Sequence, residues 1–416
     1  MMKRILIAPL GTGAYQDSSK PRYEREYKTV KYSLEGKIYE TPFVSEALMK
    51  HYKVDKIILI GTMGSMWDTL YQYYAEQKQE FNEDVYFELC DRVDSSNHTT
   101  PLTMDWQQSI KKVMPVECDI ILTPYGINEV ELMQNFTTIF SIAETLEKDC
   151  SIILDITHGF RSQAMYNFLI ASYISDLRPD VKIEHITYGM LELLKELKEC
   201  PIVDLNVMMR LMKFIKGAYE LKEYGNGFLL ADLLNDELRT VTHSEVQKKL
   251  VNFTKTVNLG YMLQIKEVIE QIKGIEKSIN QLEGFYKTML PNVLGDFVKR
   301  FKKANREWQY QFEMAKWFEE QKRYGQAYIA LGEAIVTYYC EKEGEDPTLK
   351  EARETAKNRM KNREYGVEIY NLSKNINTKR NNIAHAVLEN GRNRSNVLSD
   401  WESLPRDIKT LERLLK

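Results

Sequence analysis

Short apolar runs alternate with helical stretches through the N-terminal half of the chain. The runs at Arg4–Pro9, Lys56–Ile60, Val85–Leu89, Asp119–Thr123, Ser151–Ile156 and Lys182–Thr187 read as strands, and several are nearly continuous in apolar side chains. That pattern fits a parallel sheet covered on both faces. Between the runs, apolar positions recur at helical spacing near 44–53, 64–79, 103–113, 128–147 and 161–177. The alternation predicts a doubly wound α/β fold. Residues 27–43, YKTVKYSLEGKIYETPF, alternate and turn at Glu35-Gly36, which predicts a β-hairpin inserted after the first strand.

From about residue 205 the pattern changes to helices alone, with breaks expected at Gly225-Asn226-Gly227 and at Pro291. Helices are expected at 306–323, 325–342, 348–362, 365–377, 380–389 and 400–415, forming one compact set. The expected partition is 1–204, 205–302 and 303–416, with short linkers. Hydrophobic residues make up 43% of the chain and charged residues 28%, so a globular chain of more than one domain is expected.

Net charge is −3, which argues against a nucleic-acid partner for the chain as a whole. The charge is uneven, however. Residues 301–416 carry 22 Lys and Arg against 18 Asp and Glu, and within 350–394 the ratio is 11 to 5. That local excess is either a solvated helical face or a polyanion-binding surface. The five cysteines show no C-x-x-C spacing and read as core residues of a reducing compartment, so a cytoplasmic protein is expected. No apolar run reaches the ~18–20 residues of a membrane span, and none is expected to act as a signal peptide.

Four predicted strands end in polar, glycine-containing turns: APLGTG, IGTMGSMW, TPYGIN and DITHGFR. In a doubly wound sheet, ligands lie outside the carboxyl ends of the strands. Glycine lets a ligand approach the backbone, and the helix start behind it offers free amides to an anion. Together the four ends suit a phosphate-bearing ligand. The spacing is neither a P-loop nor a dinucleotide fingerprint. No second His or Cys stands near His158 at metal spacing, so no metal site is expected there. No serine elbow marks a hydrolase. The competing readings are a polar strand end at the surface and a structural histidine.

Asp155-Ile156-Thr157-His158-Gly159 matches the signature of the CRISPR-associated DxTHG family, which the chain resembles over most of its length. LIAPLGTG, the hairpin after it, GTMGSMWD, TPYGINE and VDLNVMMRLMKFIKGAYELKEYGNG resemble that family in order and position. Its members are accessory ribonucleases of type III CRISPR systems. They join a Rossmann-like sensor, the CARF domain, to a HEPN helical bundle. The resemblance implies a CARF domain at 1–204, a helical connection at 205–302 and a HEPN domain at 303–416. It implies a homodimer, with larger assemblies left open, activated by a cyclic oligoadenylate, by default the tetra-adenylate. Ligand contacts are then expected from Gly11, Thr12, Gly61, Thr62, Ser65, Met66, Gly126, Asp155, Thr157, His158, Gly159 and Arg161. Some CARF domains also cleave their activator slowly, with Thr157 and His158 as the candidates here.

The same resemblance assigns Arg380 and His385, in NTKRNNIAHAVLENGRNR, to the R-x-x-x-x-H signature of HEPN ribonucleases. Their chemistry suits metal-independent cleavage of single-stranded RNA. A histidine titrating near pH ~6.5 can move the 2′-hydroxyl proton. A guanidinium fork can hold phosphate and offset the charge that develops. Residues five apart on a helix are rotated by about 140°, so a composite site from two facing protomers is expected. Asn381, four residues before His385, is the candidate that orients the imidazole, with Asn382 as the alternative. The products would carry 2′,3′-cyclic phosphate or 3′-phosphate ends. Arg359, Arg363, Arg392 and Arg394 are the candidate RNA contacts. The alternatives are a ligand-controlled regulator without nuclease activity, for which 205–300 offers no basic recognition helix, and a HEPN scaffold in which His385 packs in the bundle.

Overall fold

The computed structural model describes residues 2–13, 20–24, 27–237, 241–275, 278, 285–385 and 400–415, which group into two compact units, Met1–Met212 and Lys213–Lys416.

The first unit is built on strands β1 (Lys3–Pro9), β2 (Val30–Leu34), β3 (Lys37–Thr41), β4 (Lys56–Gly61), β5 (Glu117–Leu122), β6 (Cys150–Asp155), β7 (Val181–Gly189) and β8 (Cys200–Asp204). They form one sheet in the order β3-β2-β8-β7-β6-β1-β4-β5. The five strands β7-β6-β1-β4-β5 are parallel, and β6 is buried at every position, as its apolar run requires. Helices α1 (Val44–Tyr52), α2 (Trp67–Lys78), α3 (Glu83–Ser95), α4 (Gln107–Val113), α5 (Glu129–Thr145) and α6 (Arg161–Leu177) connect and cover them, and a one-turn α7 (Leu194–Leu197) precedes β8. Two apolar clusters, one on each face, make the core.

Two expectations are corrected here. Val85–Leu89 is not a strand: it lies in α3, where Tyr86, Leu89, Cys90 and Val93 are buried at helical spacing and the Asn82 side chain caps Val85 N at 3.2 Å. The expected all-parallel sheet is mixed, because β8 runs antiparallel to β7. The hairpin expected after β1 is present as β2 and β3, turning at Glu35-Gly36, and it joins the far edge of the sheet, where β2 pairs in parallel with β8. CPIVD, short and holding a proline, gave no strand signal of its own.

The second unit is helical throughout. Its helices are α8 (Asn206–Tyr224), which passes through the division between the units, α9 (Phe228–Glu237), α10 (Val241–Leu259), α11 (Ile265–Lys273), α12 (Phe285–Arg300), α13 (Glu307–Glu320), α14 (Tyr324–Lys342), α15 (Lys350–Lys361), α16 (Val367–His385) and α17 (Leu404–Leu415). One continuous core runs from Phe214 to Leu415, with Trp317, Phe318 and Tyr328 fully buried. The Gly225–Gly227 break is present. The break expected at Pro291 is not: α12 runs through it, with Leu290 and Leu294 packed in the core. Burial of that face overrides the ~3 kcal/mol cost of a proline within a helix. The two helices expected at 365–377 and 380–389 are one as far as His385. At the expected break, Thr378 Oγ1 donates to Lys374 O at 2.9 Å, and the buried Lys379 ammonium is held by Asp407 at 3.0 Å and by Ser403. No helix of the described residues is long and apolar enough to cross a membrane.

Candidate functional site

From β1 the chain proceeds to β4 and β5 on one side and returns to β6 and β7 on the other. The switch point therefore falls between β1 and β6, and a crevice opens beyond their carboxyl ends. There a cavity of about 410 Å³ is lined by Gly11, Thr12, Gly61, Thr62, Ser65, Thr157, His158 and Gly159, with Tyr125 and Phe160 at its wall. Those eight sequence-predicted residues thus come together. Met66 lines an adjoining cavity of about 790 Å³, which shares Leu10, Gly13, His158 and Leu191 with the first and is walled by Tyr27, Lys28 and the hairpin strand β2.

Backbone and side-chain bonds hold the rim rigid. Ser65 Oγ donates to Leu10 O at 2.7 Å and accepts from Thr62 N at 2.9 Å. Met66 N donates to Gly11 O at 2.9 Å, and the Trp67 indole donates to Thr62 O at 2.8 Å. A Cβ on Gly61 would stand 2.6 Å from that indole, so the glycine permits the packing. Gly159 has φ +88°, and a Cβ there would also meet Gln163 Oε1 at 2.5 Å. Ser65 is therefore a strut between β1 and β4 as well as a lining residue.

Asp155 lies beneath the rim, fully buried, and does not line the cavity. Its Oδ1 accepts from Thr157 Oγ1 at 2.6 Å, from Thr157 N at 3.3 Å and from Thr187 Oγ1 at 3.4 Å. Its Oδ2 has no hydrogen-bond partner among the described residues. Burial pushes this carboxyl up to about 7, against the opposing pull of the threonine bonds. Thr157 Oγ1 in turn accepts from Gly189 N at 2.8 Å, which ties the rim to the end of β7. His158 is half-buried, and burial pushes its imidazole down, favouring the neutral ring.

Gly126 and Arg161 are not among the residues lining the cavity. The Gly126 amide donates to Glu131 Oε2 at 2.9 Å, and Arg161 is exposed at the start of α6. The aromatic pair Tyr125–Phe160, ring centroids 5.3 Å apart, was not anticipated. Its signal was present: an aromatic residue adjoins the glycine in both TPYGIN and DITHGFR.

In the second unit, Arg380 and Asn381 line a groove of about 490 Å³ between α14, α15 and α16. Arg380 Nη1 is 3.7 Å from Glu333 Oε1, and the same carboxylate binds Arg353. His385 is the last described residue of α16; its side chain lies outside the described residues, as do Arg392 and Arg394. Arg359 is clamped between Glu343 and Glu364. Arg363 stands over the Tyr370 ring at 5.0 Å. Among the described residues, no group of three or more His, Cys, Asp or Glu side chains could hold a metal ion.

Residues 5–192 match the family model of the CRISPR system endoribonuclease Csx1, CARF domain, and residues 210–309 match that of CRISPR-associated protein MJ1674, second domain. The CRISPR-associated protein MJ1674 of Methanocaldococcus jannaschii is 31% identical over 433 residues, which cover 99% of this chain and 66% of that protein. The chain thus spans about two thirds of the length of that relative. Among solved structures, Enterococcus italicus Csm6 bound to cyclic hexa-2'-fluoro-hexa-dAMP is similar over 100% of this chain and 94% of its own, at 14% identity and a TM-score of 0.35.

Proposed function

The chain is a CRISPR-associated protein with a CARF domain, and from that premise we propose that it is a ribonuclease switched on by a cyclic oligoadenylate. One observation carries the reading. The ends of β1, β4 and β6 converge on a single cavity whose wall is glycine, threonine and a half-buried imidazole. Glycines admit a phosphodiester close to the backbone, the Thr12 and Thr62 hydroxyls donate to its oxygens, and Tyr125 and Phe160 offer faces for adenine. Rings of four are the default activator. A ring with pseudo-symmetry suits a two-fold pair of chains. Exposed apolar side chains on α5 and α6, among them Val130, Met133, Met165 and Leu169, support a second copy packed beside the rim.

In this reading, residues 1–204 are the sensor, 205–302 the connection and 303–416 a HEPN nuclease. Arg380 holds the scissile phosphate. His385 takes the 2′-hydroxyl proton, oriented by Asn381, and 2′,3′-cyclic phosphate ends result. Both motif residues stand on α16 about 140° apart, which favours a site composed from two protomers. Strand β7 is the route by which the ring acts. At Thr187 and Gly189 it bonds Asp155 and Thr157. A few residues earlier it holds the root of α8: Asn206 Nδ2 donates to Glu184 O at 2.6 Å, Leu205 N to Ile186 O at 2.7 Å, and His185 Nδ1 lies 2.7 Å from Asp204. A ring that repositions Thr157 therefore pulls on the strand that anchors that helix, and activation is the ring's differential affinity for the active arrangement. The neutral imidazole of His158 beside Thr157 also favours slow cleavage of the activator at the rim.

The test is cleavage of a fluorescent single-stranded RNA without metal, comparing no activator with cyclic tri-, tetra- and hexa-adenylate, for wild type and His385→Ala. Cleavage that requires one ring and is lost in the variant is the expected result. A ring that binds without eliciting cleavage would put the protein among regulators with another output.

A further inference from the structure

Lys357 and Lys361 stand one turn apart on α15, and Lys374 faces them from α16 across the groove that Arg380 enters. These four cations share the lining with one carboxylate, Glu333, which is itself engaged by Arg353 and Arg380. Lys361 and Lys374 are exposed and make no salt bridge among the described residues, whereas Lys357 reaches Glu354 at 3.1 Å. Arg359, on the same helix, differs: two acids clamp it, and an outside phosphate would have to displace them. The floor adds neutral donors and acceptors in Asn377 and Asn381, and Tyr370 lies at the wall with the Arg363 guanidinium over its ring at 5.0 Å.

We propose that this groove is the track that holds single-stranded RNA beside Arg380, with Lys361 and Lys374 on consecutive phosphates and Tyr370 stacked under a base. The proposal rests on the nuclease reading of Arg380 and His385 and deepens it by naming the substrate contacts. A lysine row with an aromatic platform is the chemistry of single strands, whose base faces are free; a duplex keeps its faces stacked. Lysines that make no salt bridge among the described residues attract a polyanion without one being broken, which is why Lys361 and Lys374, and not Arg359, are assigned to it.

The experiment uses the full chain and a labelled, uncleavable 2′-O-methyl oligonucleotide, with affinity read by anisotropy between 50 and 200 mM salt. In Lys361→Gln/Lys374→Gln, the slope of log affinity against log salt should flatten by about 1.4, that is ~0.7 for each phosphate of a single strand that is no longer neutralised. Lys361→Arg/Lys374→Arg should restore it, and Arg359→Gln should leave it alone. Tyr370→Leu should weaken binding about tenfold or more at constant slope, and Tyr370→Phe should not. Unchanged slopes in the glutamine pair, or no binding by wild type, overturn the proposal. A ribonucleotide version read in parallel separates the two claims. Binding that needs the lysines, without cleavage under any ring, sinks the nuclease reading and leaves the groove standing. Cleavage with an unchanged slope sinks the groove alone.

Discussion

Asp155 should make the first unit less stable as pH rises from about 4 to about 7, and Asp155→Asn should remove that dependence. The carboxyl is fully buried, its Oδ2 has no hydrogen-bond partner among the described residues, and burial pushes it up to about 7 from an ordinary 3.8. Between those values the folded state holds a proton that the unfolded state has released. Stability from this group is therefore complete below pH ~4 and is lost progressively up to pH ~7. Over the full window the loss is about 4 kcal/mol, and most of it, roughly 3 kcal/mol, falls between pH 5 and pH 8. Asparagine matches the protonated carboxyl in shape, and its carbonyl can accept from Thr157 as Oδ1 does. The assay is urea unfolding of both proteins at pH 5 and pH 8, followed by the Trp67–Trp106 pair, whose rings lie 5.1 Å apart within this unit. Other titrating groups cancel in the comparison. The wild type should lose roughly 3 kcal/mol more than the variant over that interval. Parallel losses, equal within about 0.5 kcal/mol, would mean that Asp155 ionises in the folded state as it does in water, and the burial argument would fall.

Three further outcomes are expected. Gly159→Ala places a side chain at φ +88° and should destabilise the sensor unit by about 1–2 kcal/mol, read from the urea midpoint. Lys379→Met leaves Asp407 buried without its cation and should cost about 3–5 kcal/mol in the helical unit; Lys379→Met/Asp407→Leu should recover most of that in the same urea titration. Asn206→Ala removes the bond from α8 to Glu184 O; ring affinity by calorimetry should stay within about twofold while ring-stimulated RNA turnover falls about tenfold, and equal losses in both would refute β7 as the route.

Much of this could be read from the sequence because local pattern and fold class constrain one another. Several nearly continuous apolar runs could be buried only in a sheet covered on both faces, and in such a sheet the glycine-rich ends must converge. Gly11, Gly61, Thr62, Thr157 and His158 therefore belong to one cavity for reasons already present in the chain. Other features required the tertiary structure. Nothing in CPIVD marks a strand; β8 exists because β7 and β2 leave edges that it completes. Pro291 stays in a helix because its neighbours are buried. The sequence shows a basic excess over 350–394, yet charge counting cannot tell which cation has an internal partner. Only the fold pairs Arg359 with two acids and turns Lys361 and Lys374 to an open groove. The acid of the DxTHG motif is the sharpest case. Its place at a strand end was written in the chain, but its proton is governed by the walls around it, because desolvation depends on burial from every side and no linear pattern records that.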